Sequence, residues 1–158
     1  MNQEIAITVI TPVQTRKIME PRIRIITLGV SNLARSLAFY RDGMGLPPEG
    51  INGTEFEEGA VAFFKMNADL LLALFLRTPL AKDAGIPVGT PCQNEFPIGH
   101  TVNSKHEVDA LMQQAKQAGA RITHPAHDRF WGGYSGYFQD PDGHLWEIAW
   151  SPAWEVKE

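Results

Sequence analysis

One order of elements occurs twice in this chain, 72 residues apart, and that repeat limits the fold more than any local propensity does. In the first copy RIRIITLGV (22–30) alternates and is rich in β-branched residues, which predicts a strand. Ser31 and Asn32 then offer helix-capping oxygens, Leu33, Leu37 and Tyr40 fall at helical spacing, and Gly43 and Gly45 stop the helix. AVAFFKM (60–66) and LLLALFL (70–76) follow as strands around a short turn. In the second copy FPIGHTV is the strand, Asn103 and Ser104 the caps, and EVDALMQQAKQAGA an amphipathic helix ending at Gly119. Strands RITHPA, GYSGYF and LWEIAW complete it, the last two joined by the tight turn DPDG. The segments Val30-Ser31-Asn32 and Val102-Asn103-Ser104 mark the same junction in each copy. The expected fold is α+β, two βαβββ modules in one chain.

Module one is expected over 22–78, a Pro- and Gly-rich connector over 79–94, and module two over 95–152. An amino-terminal arm (1–21) and a short tail (153–158) flank this 22–152 domain.

Length and composition limit the function classes. The chain has 158 residues, 44% hydrophobic and 20% charged, as expected of a globular protein with its own core. Its longest apolar run, Leu70 to Leu76, is far short of the roughly 18 residues of a membrane span. The first dozen residues carry no Lys or Arg, which argues against a secretory signal. Net charge is −4 without a Lys/Arg cluster, which argues against nucleic-acid binding. A single cysteine, Cys92, excludes an internal disulfide and fits a reducing compartment, so a cytoplasmic protein acting on small molecules is expected. Cys92 has no neighbour that would activate it, and no nucleophile elbow, Rossmann or P-loop pattern occurs.

LGVSNLARSLAFYRDGMGL resembles the opening, and WGGYSGYFQDPDGHLWEIAWSP the closing motif, of the vicinal oxygen chelate superfamily of glyoxalase-, bleomycin resistance protein- and dioxygenase-like proteins. The resemblance spans about residues 22 to 152. It implies a cup-shaped mixed sheet in which four side chains, two per module, hold a divalent metal. Carried over residue by residue, those places fall at Ile25, Leu72, Pro97 and Glu147. Only Glu147 has a donor atom, so no cofactor is expected and the metal site reads as degraded. Because a one-residue slip reverses a strand's faces, this depends on register.

None of the five histidines makes a convincing ligand set with Glu147. His100 is expected to turn away from the cup, His124 and His127 to leave a strand into a solvated loop, and His106 and His144 to lie at the surface. The resemblance places Thr27, Ser135 and Tyr137 in the cup beside Glu147, and strand alternation adds Leu145, Ala149, Ala62 and Phe64. Trp131, beside Gly132 and Gly133, is either a lip that stacks on a planar ligand or a plug beneath a loop. The expected ligand pocket is therefore Thr27, Phe64, Trp131, Ser135, Tyr137 and Glu147, with Glu147 and Tyr137 the candidate catalytic pair.

The expected function is binding of a small apolar or aromatic molecule, with metal-independent chemistry at Glu147. The alternatives are a metal-dependent lyase or extradiol-type dioxygenase with displaced ligands, and a structural subunit with a filled cup. A homodimer is the expected assembly, with neither nucleic acid nor membrane as a partner.

Overall fold

The computed structural model describes residues 23–52, 59–91 and 96–153. The amino-terminal arm, Cys92 and most of the tail lie outside the described residues. Module one runs β1 (Ile25–Val30), α1 (Leu33–Leu37), β2 (Pro48–Asn52), β3 (Val61–Lys65) and β4 (Leu71–Leu76). Module two runs β5 (Ile98–Thr101), α3 (Lys105–Gln117), β6 (Arg121–Asp128), β7 (Tyr134–Gln139) and β8 (Leu145–Trp150). Between them lies α2 (Arg77–Asp83), so the stretch expected to be an irregular connector opens with a helix. The two sheets have the same order, β1-β4-β3-β2 and β5-β8-β7-β6, with the first strand of each parallel to the last.

Helix starts follow the capping residues. The Asn32 side chain accepts the Arg35 N–H at 2.9 Å, and Ser104 accepts the Glu107 N–H at 3.1 Å. Glu107 reaches back to the Asn103 N–H at 2.9 Å, closing a second contact at that end. α1 runs on into a π-helical turn, Ala38–Gly43, which buries Phe39 and Tyr40. A side chain at Gly43 would collide with Ala118, so glycine there lets this turn touch the end of α3.

One face of each sheet feeds a shared core. Leu28, Val30, Phe64, Leu72 and Leu74 of module one join Val108, Met112, Phe138, Trp146 and Ile148 of module two. Tyr40 lies between them, its ring 6.0 Å from Phe64 and 5.9 Å from Trp146. The opposite sheet faces carry the more open residues, among them Ile25, Thr27, Gly99 and Thr101.

The modules are fastened by two aspartates of the β7–β8 turn. Asp140 Oδ2 accepts the Tyr40 hydroxyl and His144 Nδ1–H, each at 2.7 Å, while Oδ1 accepts the N–H of Asp142 and His144. Trp146 Nε1–H donates to the Tyr40 oxygen at 3.0 Å. His144 is therefore buried against Asp140 and does not lie at the surface, because the turn folds its ring back onto that carboxylate. Asp142 accepts the Ser31 N–H at 2.8 Å, the Ser31 and Ser36 hydroxyls at 2.7 and 2.8 Å, and Arg35 at 3.1 Å.

Burial alone would raise the Asp142 carboxyl. The hydrogen bonds from Ser31 and Ser36, with the Arg35 charge, outweigh it and hold the group below its usual 3.8. A depressed folded-state pKa stabilises above the unfolded value, and that contribution is lost as pH falls through the folded one. Asp142→Asn should therefore cost about 1–2 kcal/mol at neutral pH, read from denaturant midpoints, with the gap closing towards about pH 2. A penalty that stays constant over that range would contradict the account.

Candidate functional site

Strand pairing decides which side chains share the cup face. Thr27 pairs with Ala73 and Ala73 with Phe63, just as Gly99 pairs with Glu147 and Glu147 with Tyr137. The module-one counterpart of Glu147 is thus Ala73, not Leu72. Leu72 pairs with Ile26 and Phe64 and is buried on the core side. Phe64 and Ala62 likewise lie in the shared core and not in the cup; Phe63 takes the cup-face place. Both corrections are one-residue register differences: the expected places in β4 and β3 are each one residue out, which exchanges the two faces of a strand.

The chemistry of the four metal places is unchanged by that shift. Ile25, Ala73 and Pro97 offer no side-chain donor, and a single carboxylate does not fit a tightly held transition metal. Among the described residues, no three His, Cys, Asp or Glu side chains come together as a ligand set.

What the sheet-two face does bring together is a polar cluster. Tyr137 and Glu147 are cross-strand partners. Burial first, then the polar interaction with Glu147 and its charge, push the Tyr137 phenol above its usual 10.0, against an opposing effect of Arg129. Ser135, fully buried, accepts Arg129 Nε–H at 2.8 Å, and the Arg129 guanidinium lies 5.2 Å from the Tyr137 ring centre. Arg129 Nη2 is buried without a hydrogen-bond acceptor among the described residues. Two irregularities in β6 set His124 opposite Tyr137 and His127 opposite Ser135, with their rings 4.4 Å apart. Those bulges make the two histidines part of a strand beside the cluster; they are not in a loop.

The remaining expected residues are dispersed. Thr27 lines a cavity of about 270 Å³ with Gly29, Leu80, Ile98, His144 and Leu145, and neither Tyr137 nor Glu147 is among its lining residues. Trp131 sits in the turn between β6 and β7, 40% exposed, with its ring over Gly133, where any side chain would collide with it. His106 is exposed on α3. His100 pairs with Ile148, which faces the core, and burial lowers its pKa.

From the sequence Arg129 could be named only as one of three arginines, with Arg22 and Arg24, that could pair with Glu147 for stability; the structure shows no ion pair between Arg129 and Glu147 and sets Arg129 against Ser135 and Tyr137. The cluster suits proton handling: a carboxylate that accepts, a phenol kept protonated, and a fixed cation. Replacing Glu147 with Gln removes the charge that helps to raise the Tyr137 pKa. The part of the spectrophotometric tyrosine titration due to Tyr137 should then move down towards 10.0, and an unchanged titration would contradict this coupling.

These features have relatives. A glyoxalase/bleomycin resistance protein/dioxygenase superfamily model matches residues 22–148. A glyoxalase-related enzyme from Fulvimarina pelagi is 34% identical, with 87% of this chain and 94% of that one covered and a TM-score of 0.76. A glyoxalase/bleomycin resistance protein/dioxygenase from Nocardioides is 20% identical over 90% of this chain and 92% of that one, TM-score 0.70, a likeness of fold. So is that to a variant of the fosfomycin resistance protein FosX from Listeria monocytogenes, complexed with manganese and a dihydroxypropylphosphonic acid. It is 23% identical over 82% of this chain and 90% of that one, TM-score 0.59. A search of curated proteins found no match. With its family model covering both modules, the chain belongs to the glyoxalase/bleomycin resistance protein/dioxygenase superfamily.

Proposed function

We propose that this chain binds a small molecule with an apolar or aromatic body on the Glu147 face, and that it does so without a divalent metal at the family's usual position. The observation that carries this reading is the donor set: Ile25, Ala73 and Pro97 stand where ligands would be needed, while Glu147 is present as the cross-strand partner of Tyr137. Leu145 and Ala149 share the Glu147 face and supply apolar wall, and Tyr137 adds an aromatic one. In this reading Glu147 takes a proton from the ligand or anchors its hydroxyl, and the Tyr137 phenol donates to a developing negative charge.

The reading includes a second copy of the chain. β1, β2, β5 and β6 are edge strands among the described elements, and Ile25 and Ile51 on two of them are 48% and 45% exposed. Covering such edges with a second copy suppresses unwanted pairing.

Metal analysis of protein purified without a histidine tag and dialysed mildly should give far less than one Mn, Fe, Ni or Zn per chain. Near-stoichiometric metal that supports activity would favour the metal-dependent lyase or dioxygenase reading instead. Light scattering should give about twice 17.6 kDa, and the single-chain mass at micromolar concentration would contradict the dimer. For any ligand found, Glu147→Gln should weaken binding or turnover by about tenfold or more. Wild-type behaviour of that variant between about pH 5 and 8 would remove Glu147 from the function.

A further inference from the structure

The ligand class follows from a buried group in the cluster whose bonding is incomplete among the described residues. Arg129 is always charged, and its guanidinium is a planar fork of donors. Nε–H is satisfied by Ser135 at 2.8 Å, which fixes the fork's orientation over Tyr137. Nη2 is buried and has no acceptor among the described residues. A buried cationic donor left without an acceptor costs free energy, so a fold that keeps one in place beside a binding face offers it to an acceptor from outside.

Glu147 does not fill that role. Arg129 forms no ion pair with it, and its guanidinium lies beside Tyr137, the cross-strand partner of Glu147. The Arg129 cation and the Glu147 carboxylate both neighbour the phenol, and their opposite charges offset each other. A monoanion brings the site to one net negative charge, whereas a dianion would bring it to two, beside a carboxylate in a partly dry setting.

We propose that Arg129 is the anchor for a carboxylate, so that the Glu147 face takes small organic monocarboxylates with an apolar or aromatic body. This rests on the preceding reading that the face binds small molecules, and adds to it the charge and shape of the group recognised. Arg129 then positions the ligand with its apolar part against Tyr137, Leu145 and Ala149, and its reactive carbon near Glu147. The side-chain stem of Arg129 and its Ser135 contact hold the fork before the ligand arrives, which lowers the cost of ordering it.

The test compares two pairs of isosteres, benzoate with benzamide and phenylacetate with phenylacetamide, by NMR titration of the whole wild-type chain. The Nε–Hε resonance of Arg129 serves as the local reporter. At least one carboxylate should bind at least about tenfold more tightly than its amide and shift the Arg129 resonance to saturation. In Arg129→Met, checked for native circular dichroism, the carboxylate's affinity should fall to that of the amide. Equal binding of acid and amide by the wild type would overturn the carboxylate assignment while leaving the small-molecule reading standing. A preference that survives in Arg129→Met would overturn the role of Arg129. No binding of either member of either pair would overturn the inference together with the aromatic-ligand reading on which it rests.

Discussion

The structure depends first on the Asp140 carboxylate. It is buried, it accepts two backbone N–H groups of its own turn, and it accepts the Tyr40 hydroxyl from the other module. That hydroxyl in turn accepts Trp146 Nε1–H, so a carboxylate, a phenol and an indole meet at the centre of an otherwise apolar junction. A buried polar group of this kind is tolerated only when its bonding is complete, and completeness requires both modules in one arrangement. Asp142, two residues on, repeats the logic at the surface by holding the first turn of α1 through Ser31, Ser36 and Arg35. The DPDG sequence is thus a clamp between modules as well as a tight turn.

Because the junction consumes the core faces, the opposite faces are left for function. On the first sheet that face holds Ile25, Thr27, Phe63 and Ala73, with two alkyl side chains at metal-ligand places. On the second it holds Ser135, Tyr137 and Glu147, with Arg129 folded over them. The chemistry is therefore unequal between two modules of the same topology. At the four places where the resemblance puts metal ligands only Glu147 carries a donor atom, and the cation nearby belongs to a protein side chain. Fold membership and chemistry part company here, as they do wherever one scaffold carries many sites.

Much of the fold could be read from the residues. The repeat, the caps at Asn32 and Ser104, and the strands ending each module rest on local patterns, and the structure has them where those patterns put them. β2 was not legible, since PEGIN offers a Pro, a Gly and one Ile where a strand would show alternation. α2 was hidden because its Pro79 suggests a break, although a proline in a helix's first turn is compatible with one. The Leu72 and Phe64 placements failed on register, which depends on the neighbouring strands' pairing and not on the strand itself. His144, His124 and His127 depended on tertiary partners and on β-bulges, neither of which leaves a periodic signal. Arg129 was legible only as a possible partner of Glu147; what distinguishes it, a buried nitrogen without an acceptor among the described residues, leaves no mark in the sequence.

The central claim is that the Glu147 face recognises a ligand through a protein cation where the family's fold would place a metal. The most direct measurement is a crystal structure of the protein grown with excess manganese and soaked with a small aromatic carboxylate such as phenylacetate. The account predicts carboxylate density on Arg129 and no anomalous peak at Glu147. A manganese peak bonded to Glu147, with the carboxylate directed at the metal, would contradict it.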